Sequence, residues 1–294
     1  MTTEPEDRTK FRLLDLLEGE LLPKKRHSRA KYRPPALPST ITDAVWMPSW
    51  NWTYKGPDAR TRRKQPVVFV DANAAYLSAA SSVLVAFDTL TRTGPLERYP
   101  RLPGYYRIRI ERGAWQDSRW CSPLGEAPYR EVIWIAEPTM TLLSERVRDD
   151  EWPDIEIVDS LTSTETCRLS DWTNRLRDMR AVLLDDGDRQ AYDVFKIAYS
   201  QAVQMMQGSD KCAMRRPDWA HAIRSQHRAN FWRKVWTCAK AGHGPIASGR
   251  VDGLVFTEPD LDAIKKLELL RFDESGKAFG TFKKVDPDTE PEGC

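Results

Sequence analysis

Residues 66–78 read PVVFVDANAAYLS. Four apolar residues, Val67 to Val70, run straight into Asp71, and a stretch of small residues with one tyrosine follows. So short and β-branched a run is a strand. Because it is apolar at every position, it is expected to be buried on both faces. A carboxylate at the tip of a buried strand loses solvation, so it needs a partner to offset that loss. Any fold for this chain must therefore supply Asp71 with a charged or hydrogen-bonding neighbour.

From Pro66 onward, strands and helices are mixed. Ala74–Leu90 reads as a helix or a turn into one. YYRIRI (105–110) alternates as a half-buried strand, and EVIWIAEP and DIEIVD are further strands. Ser170 to Asp185 opens with a cap-type serine and places Trp172, Leu176, Met179 and Leu183 on one helical face. Asp188 to Met206 forms a second helix, joined to the first by DDGD in a helical hairpin. Asp218 to Ala241 is a third, preceded by Pro217 and stopped by Gly242 and Gly244. GRVDGLVFT (249–257) is a tight hairpin turning at Asp252–Gly253, or a strand with Asp252 at its start. Gly280–Val285 is a short final strand. Residues 1 to 66 differ. They are rich in proline and basic residues, with one helix near Thr9–Leu22, and Trp46, Trp50 and Trp52 in a loop that docks on the main domain rather than stacking on bases.

The 294 residues are 40% hydrophobic and 30% charged, enough for a substantial core. No apolar run has the length of a membrane span, and the N-terminus lacks a signal-peptide core. The five cysteines are scattered without a C-x-x-C pair, which points away from a zinc site or disulfide framework and toward a reducing cytoplasm. The net charge of +2 is unevenly spread. KKRHSRAKYR (24–33), RTRRK (60–64) and the stretch Lys211–Val251 are strongly basic, as surfaces for a polyanion such as nucleic acid are.

Asp71 and Asp252 are both placed where adjacent strands could bring them together. Two carboxylates in one cleft repel, and a divalent cation between them relieves the repulsion. Mg2+ or Mn2+ fits such hard oxygen ligands, and two metals ~4 Å apart support in-line phosphoryl transfer.

These segments resemble the motifs of family B DNA polymerases. DANAAYLSA is similar to motif A, D-x-x-S-L-Y-P-S, with Asp71, Tyr76 and Ser78 in register and Ala74, Ala75 and Leu77 as departures. KIAYSQAVQ is similar to motif B, with Lys196 in place but Ser200 and Val203 where Asn and Tyr are usual. SGRVDGL resembles motif C, with Asp252 at its second aspartate and Arg250 in place of the first. FGTFKKV resembles the following lysine-bearing strand, through Lys283. The order matches that of the family, over residues 66 to 285.

The resemblance implies an α+β fold: an antiparallel-sheet polymerase palm with a helical-hairpin fingers insertion. It divides the chain into a basic extension (1–66), a first palm part with a β-rich insertion (67–168), fingers (169–208) and a second palm part (209–294). The inserted strands look like those of small protein-primed phage and plasmid enzymes. It implies that Asp71 and Asp252 bind Mg2+ or Mn2+. The backbone of Ala72, Asn73, Ala74 and Ala75 would cradle a dNTP triphosphate. Tyr76 would stack under the sugar and exclude a 2′-hydroxyl, Lys196 would contact the triphosphate, and Arg177 or Arg180 would hold the γ-phosphate. DNA contacts would come from Lys283 and, on the basic helix before motif C, from Arg224, Arg228 and Lys234. No D-x-E strand precedes motif A and little follows Lys283, so a palm and fingers without exonuclease or thumb are expected, together with a replication partner or protein primer. The leading reading is a minimal DNA polymerase for priming or end replication of a linear replicon. A second is a polymerase-derived DNA- or partner-binding protein of terminal or telomere-associated type, favoured by Arg250 and Val203. A third is a nuclease of PIN-like fold, which also opens on a strand ending in D-x-N but leaves Lys196 unexplained.

Overall fold

The computed structural model describes residues 45–47, 51–87, 89–111, 120–125, 131–149, 154–208, 215–249 and 252–285. The helix expected at 9–22, the basic arm at 24–33, Trp50 and Arg250 lie outside the described residues.

In chain order, the first half holds β1 (Trp52–Thr53), α1 (Ala59–Arg62), β2 (Val67–Ala72), α2 (Ala75–Ser82), β3 (Leu84–Ala86), β4 (Thr91–Arg92), β5 (Gly104–Arg109), β6 (Val132–Ala136), α3 (Glu137–Arg148), β7 (Glu156–Thr162) and β8 (Thr166–Arg168). The second half holds α4 (Ser170–Asp186), α5 (Arg189–Met205), α6 (Pro217–Lys240), β9 (Ala247–Gly249), β10 (Gly253–Thr257), α7 (Glu258–Lys266) and β11 (Phe282–Val285). The main sheet is antiparallel with order β1-β9-β10-β2-β11. A second antiparallel sheet has the order β4-β7-β5-β6, and β3 pairs with β8.

The strand at Val67–Val70 is present, but it is not buried on both faces. Val70 and Ala72 enter the core with Leu254, Phe256 and Phe282, whereas Val67 and Phe69 are 42% and 40% exposed. An antiparallel sheet can leave one face open, and here only the other is covered. Asp71 shares the parity of Phe69, so it stands on the open face. The helix expected over Ala74–Leu90 stops at Ser82. Val83 turns to extended backbone, and Leu84–Ala86 pairs with Thr166–Arg168 as a strand. β-branched Val83 and Val85 favour that outcome. The two readings of 249–257 combine: β9 and β10 pair antiparallel, but Gly253 is not in the turn, since it opens β10 opposite Gly249, and Asp252 stands immediately before that strand.

The helical hairpin forms as expected. α4 ends at Gly187, whose φ of 69° suits a residue without a Cβ. α5 is capped by Asp188, whose carboxylate accepts the Ala191 N–H at 3.0 Å. Ser170 is not a cap: Leu169 occupies that position, and Ser170 is the first helical residue.

α6 is the spine of the molecule. Trp219, Ile223, Ala229, Phe231, Trp232, Val235 and Cys238 are all buried, and α6 touches α2, α3, α5, β3 and β6. The alanines of α2 allow the close approach: Ala75, Ala79 and Ala80 are buried within the packed cores. Trp46 docks, its indole N–H donating to the Leu124 carbonyl at 2.8 Å, and Trp52 packs edge-on to Trp120.

Candidate active site

The pairing of β2 with β10 and β11 sets the geometry. Asp71 lies opposite Gly253 on one side and Lys283 on the other. Asp252 immediately precedes β10, and its carbonyl accepts the Ala72 N–H at 3.3 Å. The two carboxylates share a hydrogen bond. Burial raises the pKa of Asp71, opposed first by the contact with Asp252 and then by the charges of Lys283 and Lys196. One proton shared between two facing carboxyl groups is the usual outcome when no cation separates them.

Lys196 is exposed on α5, and its charge reaches Asp71. Tyr199, one helical turn on, is buried and stacks edge-on with Phe195. Burial raises its phenol pKa, and the charges of Asp252 and Asp71 add to that rise. Lys196 and Tyr199 on α5 thus both lie close enough to the carboxylates for charge to act between them. The motif reading passed over Tyr199, although its i+3 spacing from Lys196 was a usable signal.

The turn after Asp71 is partly engaged. The Ala72 N–H meets Asp252, and the Asn73 N–H donates to the Thr281 carbonyl at 2.7 Å. Of the four N–H groups expected to cradle phosphate, those of Ala74 and Ala75 remain at the start of α2, where the first turn lacks intrahelical acceptors. Ala74 sits at φ 47°, ψ 50°, a left-handed conformation rare for a residue with a Cβ and typical of functional turns. Tyr76 is half-buried against His227 at 5.1 Å between ring centroids, with Phe231 beyond. Burial pushes His227 down to about 4.

The two candidate arginines on α4 differ in environment. Arg177 is exposed, its guanidinium 5.8 Å from the Phe279 ring centroid. Arg180 is 2% exposed and donates to the Tyr192 hydroxyl at 2.9 Å, while its Nε and Nη1 lack a hydrogen-bond partner among the described residues.

The basic helix α6 departs from expectation. Lys234 does not project outward: its ammonium donates to the Gly280 carbonyl and lies 4.8 Å from the Phe282 ring centroid, and burial lowers its pKa to about 8. Arg224 is half-buried and donates to Gln207 at 2.6 Å. Arg228 is half-buried beside Tyr76, with its pKa pushed down by burial to about 10. The charge count suggested a surface for a polyanion, but long basic side chains can bury their stems against aromatic surface. Lys234→Glu is therefore expected to destabilise the fold by roughly 2 kcal/mol or more, because it leaves a carboxylate against a ring and a carbonyl. Chemical denaturation checks this. An unchanged midpoint would restore the surface role.

Among the described residues, no cluster of three or more His, Cys, Asp or Glu gathers. The donor set is the Asp71–Asp252 pair, which fits Mg2+, an ion commonly held by one or two carboxylates plus substrate phosphates. No described helix is long and apolar enough to cross a membrane.

The chain has a DNA-polymerase-like fold, mixing helices with antiparallel sheet. Solved structures of phi29 DNA polymerase are similar to this chain. Its orthorhombic crystal form matches with a TM-score of 0.61 and 11% identity, covering 93% of this chain and 52% of that chain. Its complex with primer-template DNA in the post-translocation state gives 0.64 and 12%, covering 93% and 51%. Its ternary complex with primer-template DNA and incoming nucleotide gives 0.58 and 12%, covering 94% and 52%. The chain thus spans about half the length of the polymerase it resembles. No protein-family model and no curated sequence matches it.

Proposed function

We propose that this chain is a template-dependent nucleotidyltransferase, a minimal DNA polymerase of the family B type acting on DNA and dNTP, with a role in priming or end replication of a linear phage or plasmid replicon. The observation that carries the reading is the facing of Asp71 and Asp252 on the open face of an antiparallel sheet, with Lys283 and Lys196 supplying positive charge around them. Under this reading the main sheet is the palm and α4–α5 the fingers. Asp71 and Asp252 would hold Mg2+ or Mn2+, which when bound supplies charge neutralisation for phosphoryl transfer. Lys196 would face the triphosphate and stabilise charge developing on the leaving pyrophosphate. Tyr76, braced by His227, would present its ring to the sugar. Arg180 and the N–H groups of Ala74 and Ala75 would meet phosphate oxygens, and Lys283 would lie beside the primer end. A replication partner or protein primer would add grip on DNA.

The test is incorporation of labelled dNTP with Mg2+ or Mn2+ on primed and unprimed templates. Wild type is expected to extend, and Lys196→Ala to fall by about 10²–10³ in rate, the usual cost of losing one preorganised charge-stabilising donor. A chain that binds DNA and incorporates nothing with either metal and either template would instead be a polymerase-derived binding protein of the terminal or telomere-associated kind.

A further inference from the structure

We propose that the segment Asp273–Gly280 is a latch that closes the helical hairpin onto the main sheet and gates the entry of a phosphate-type anion to Arg180. The identity of that anion as a nucleotide's phosphates rests on the function proposed above. The latch itself rests on contacts at both of its ends.

On the sheet side the anchor is Asn73, which is 2% exposed. Its N–H donates to the Thr281 carbonyl at 2.7 Å, and its own carbonyl accepts the Gly280 N–H at 2.8 Å. Its side-chain amide donates to the Asp273 carbonyl at 2.9 Å and to the Thr281 hydroxyl at 3.0 Å. On the hairpin side, the Lys277 ammonium pairs with Asp185 of α4, and the Phe279 ring lies under the Arg177 guanidinium. The sheet-side contacts are buried, whereas Lys277 and Asp185 are both exposed. Exposed ion pairs are weak, so the hairpin end is the one built to release.

Between the anchors, the segment covers Arg180. Gly276 takes φ 72°, and a Cβ there would lie 3.5 Å from Arg180 Nη2 and 3.5 Å from Asn73 Oδ1. Any larger side chain would separate the segment from the guanidinium. Beneath it, Arg180 Nε and Nη1 and the Asn73 Oδ1 are buried without hydrogen-bond partners among the described residues. Buried donors on a charged group that go unmet are costly, and an anion that met them would repay that cost. In the closed arrangement the nearby negative charge is that of Asp273, whose carboxyl is held below its ordinary range by the Ser275 hydroxyl and the Ala278 N–H, with the Arg180 charge contributing. With the segment open, an external oxyanion can take the place of the Asp273 charge near Arg180 and meet its unpartnered N–H groups. Asp71 and Asn73 stand on one short stretch of chain, so the latch is tied directly to the strand that carries the candidate metal ligand.

The experiment uses inorganic tripolyphosphate as probe and the full chain without divalent ions, with affinity read by calorimetry and opening read by hydrogen exchange over 273–280. Lys277→Glu breaks the hairpin anchor. It also replaces a positive charge with a negative one, so plain electrostatics predicts weaker anion binding. The latch predicts the opposite: affinity rising by up to about tenfold, as expected when the competent state changes from a minority to the dominant population, with faster exchange in the segment. The charge swap Asp185→Lys with Lys277→Glu should return both readouts to wild type. Adding Arg180→Gln to Lys277→Glu should erase the gain. Unchanged or weakened binding in Lys277→Glu overturns the latch, as does a gain that survives loss of Arg180. A chain that incorporates no nucleotide yet shows the Arg180-dependent gain keeps the latch and loses the polymerase reading. A chain that polymerises but shows no gain does the reverse.

Discussion

Asp71→Asn is expected to abolish nucleotide incorporation, by about three orders of magnitude, while leaving metal-free DNA binding intact. Lewis-acid stabilisation is worth several kcal/mol, and each 1.36 kcal/mol is tenfold in rate. The same variant should alter stability in a way that only the carboxylate pair explains. Burial raises the Asp71 pKa in the folded chain. A group with a higher pKa folded than unfolded binds its proton more tightly when folded. Its stabilising contribution is complete below the unfolded value and is lost as pH rises through the folded one. Metal-free wild type should therefore lose melting temperature as pH climbs from about 4 toward neutrality, near and above the ordinary carboxylate range. Asp71→Asn should flatten that slope and melt higher at neutral pH, and Mg2+ should stabilise wild type alone. A variant that retains the wild-type slope would place the titration elsewhere.

Asp218→Ala is expected to cost 3–5 kcal/mol, roughly a third or more of a typical domain's stability. Arg216 and Asp218 are 1% and 6% exposed and form two hydrogen bonds, at 2.9 and 2.6 Å. Arg216 also donates to the Ala86 and Phe87 carbonyls and lies 4.2 Å from the Trp219 ring centroid. Removing the carboxylate leaves the buried guanidinium without its Asp218 ion pair. Replacing both partners with apolar residues of similar volume should recover much of the loss. Urea denaturation of the single and double variants decides the matter, and equal midpoints for Asp218→Ala and wild type would show that the pair adds nothing.

Local pattern carried the elements that local physics controls. The two hairpin helices and the strand that carries Asp71 follow from spacing and residue type, and the structure contains them, although the cap expected at Ser170 falls on Leu169 and the strand runs on to Ala72. What escaped was decided by distant packing. Val67 and Phe69 look like core, yet which face of an antiparallel sheet is covered depends on α6, far along the chain. The same limit applies to Lys234, Arg224 and Arg228. Their charges suggested an exposed surface for DNA, but whether an aromatic ring waits for a lysine stem depends on Phe282, which arrives from β11. Arg177 and Arg180 were indistinguishable in sequence because both lie on α4. The structure separates them through Asn73 and Gly276, which come from distant parts of the chain to meet beside Arg180. Tyr199 was within reach, since its spacing from Lys196 places both on one helical face.

The strand pairing around β2 also has a consequence for synthesis. β2 is made well before both of the strands that pair with it, so Asp71 waits for Asp252 and Lys283 while the long stretch between them is synthesised. Pairings of such sequence separation form slowly, because the loop-closure entropy must be met before any contact compensates it. Until β10 and β11 arrive, Phe69 and its neighbours present an unpaired apolar edge of the kind that aggregates. A growing chain of this protein therefore passes through a long interval in which the carboxylate is present and the site is not. A premature stop between β2 and Phe282 leaves β2 without at least one of its partners.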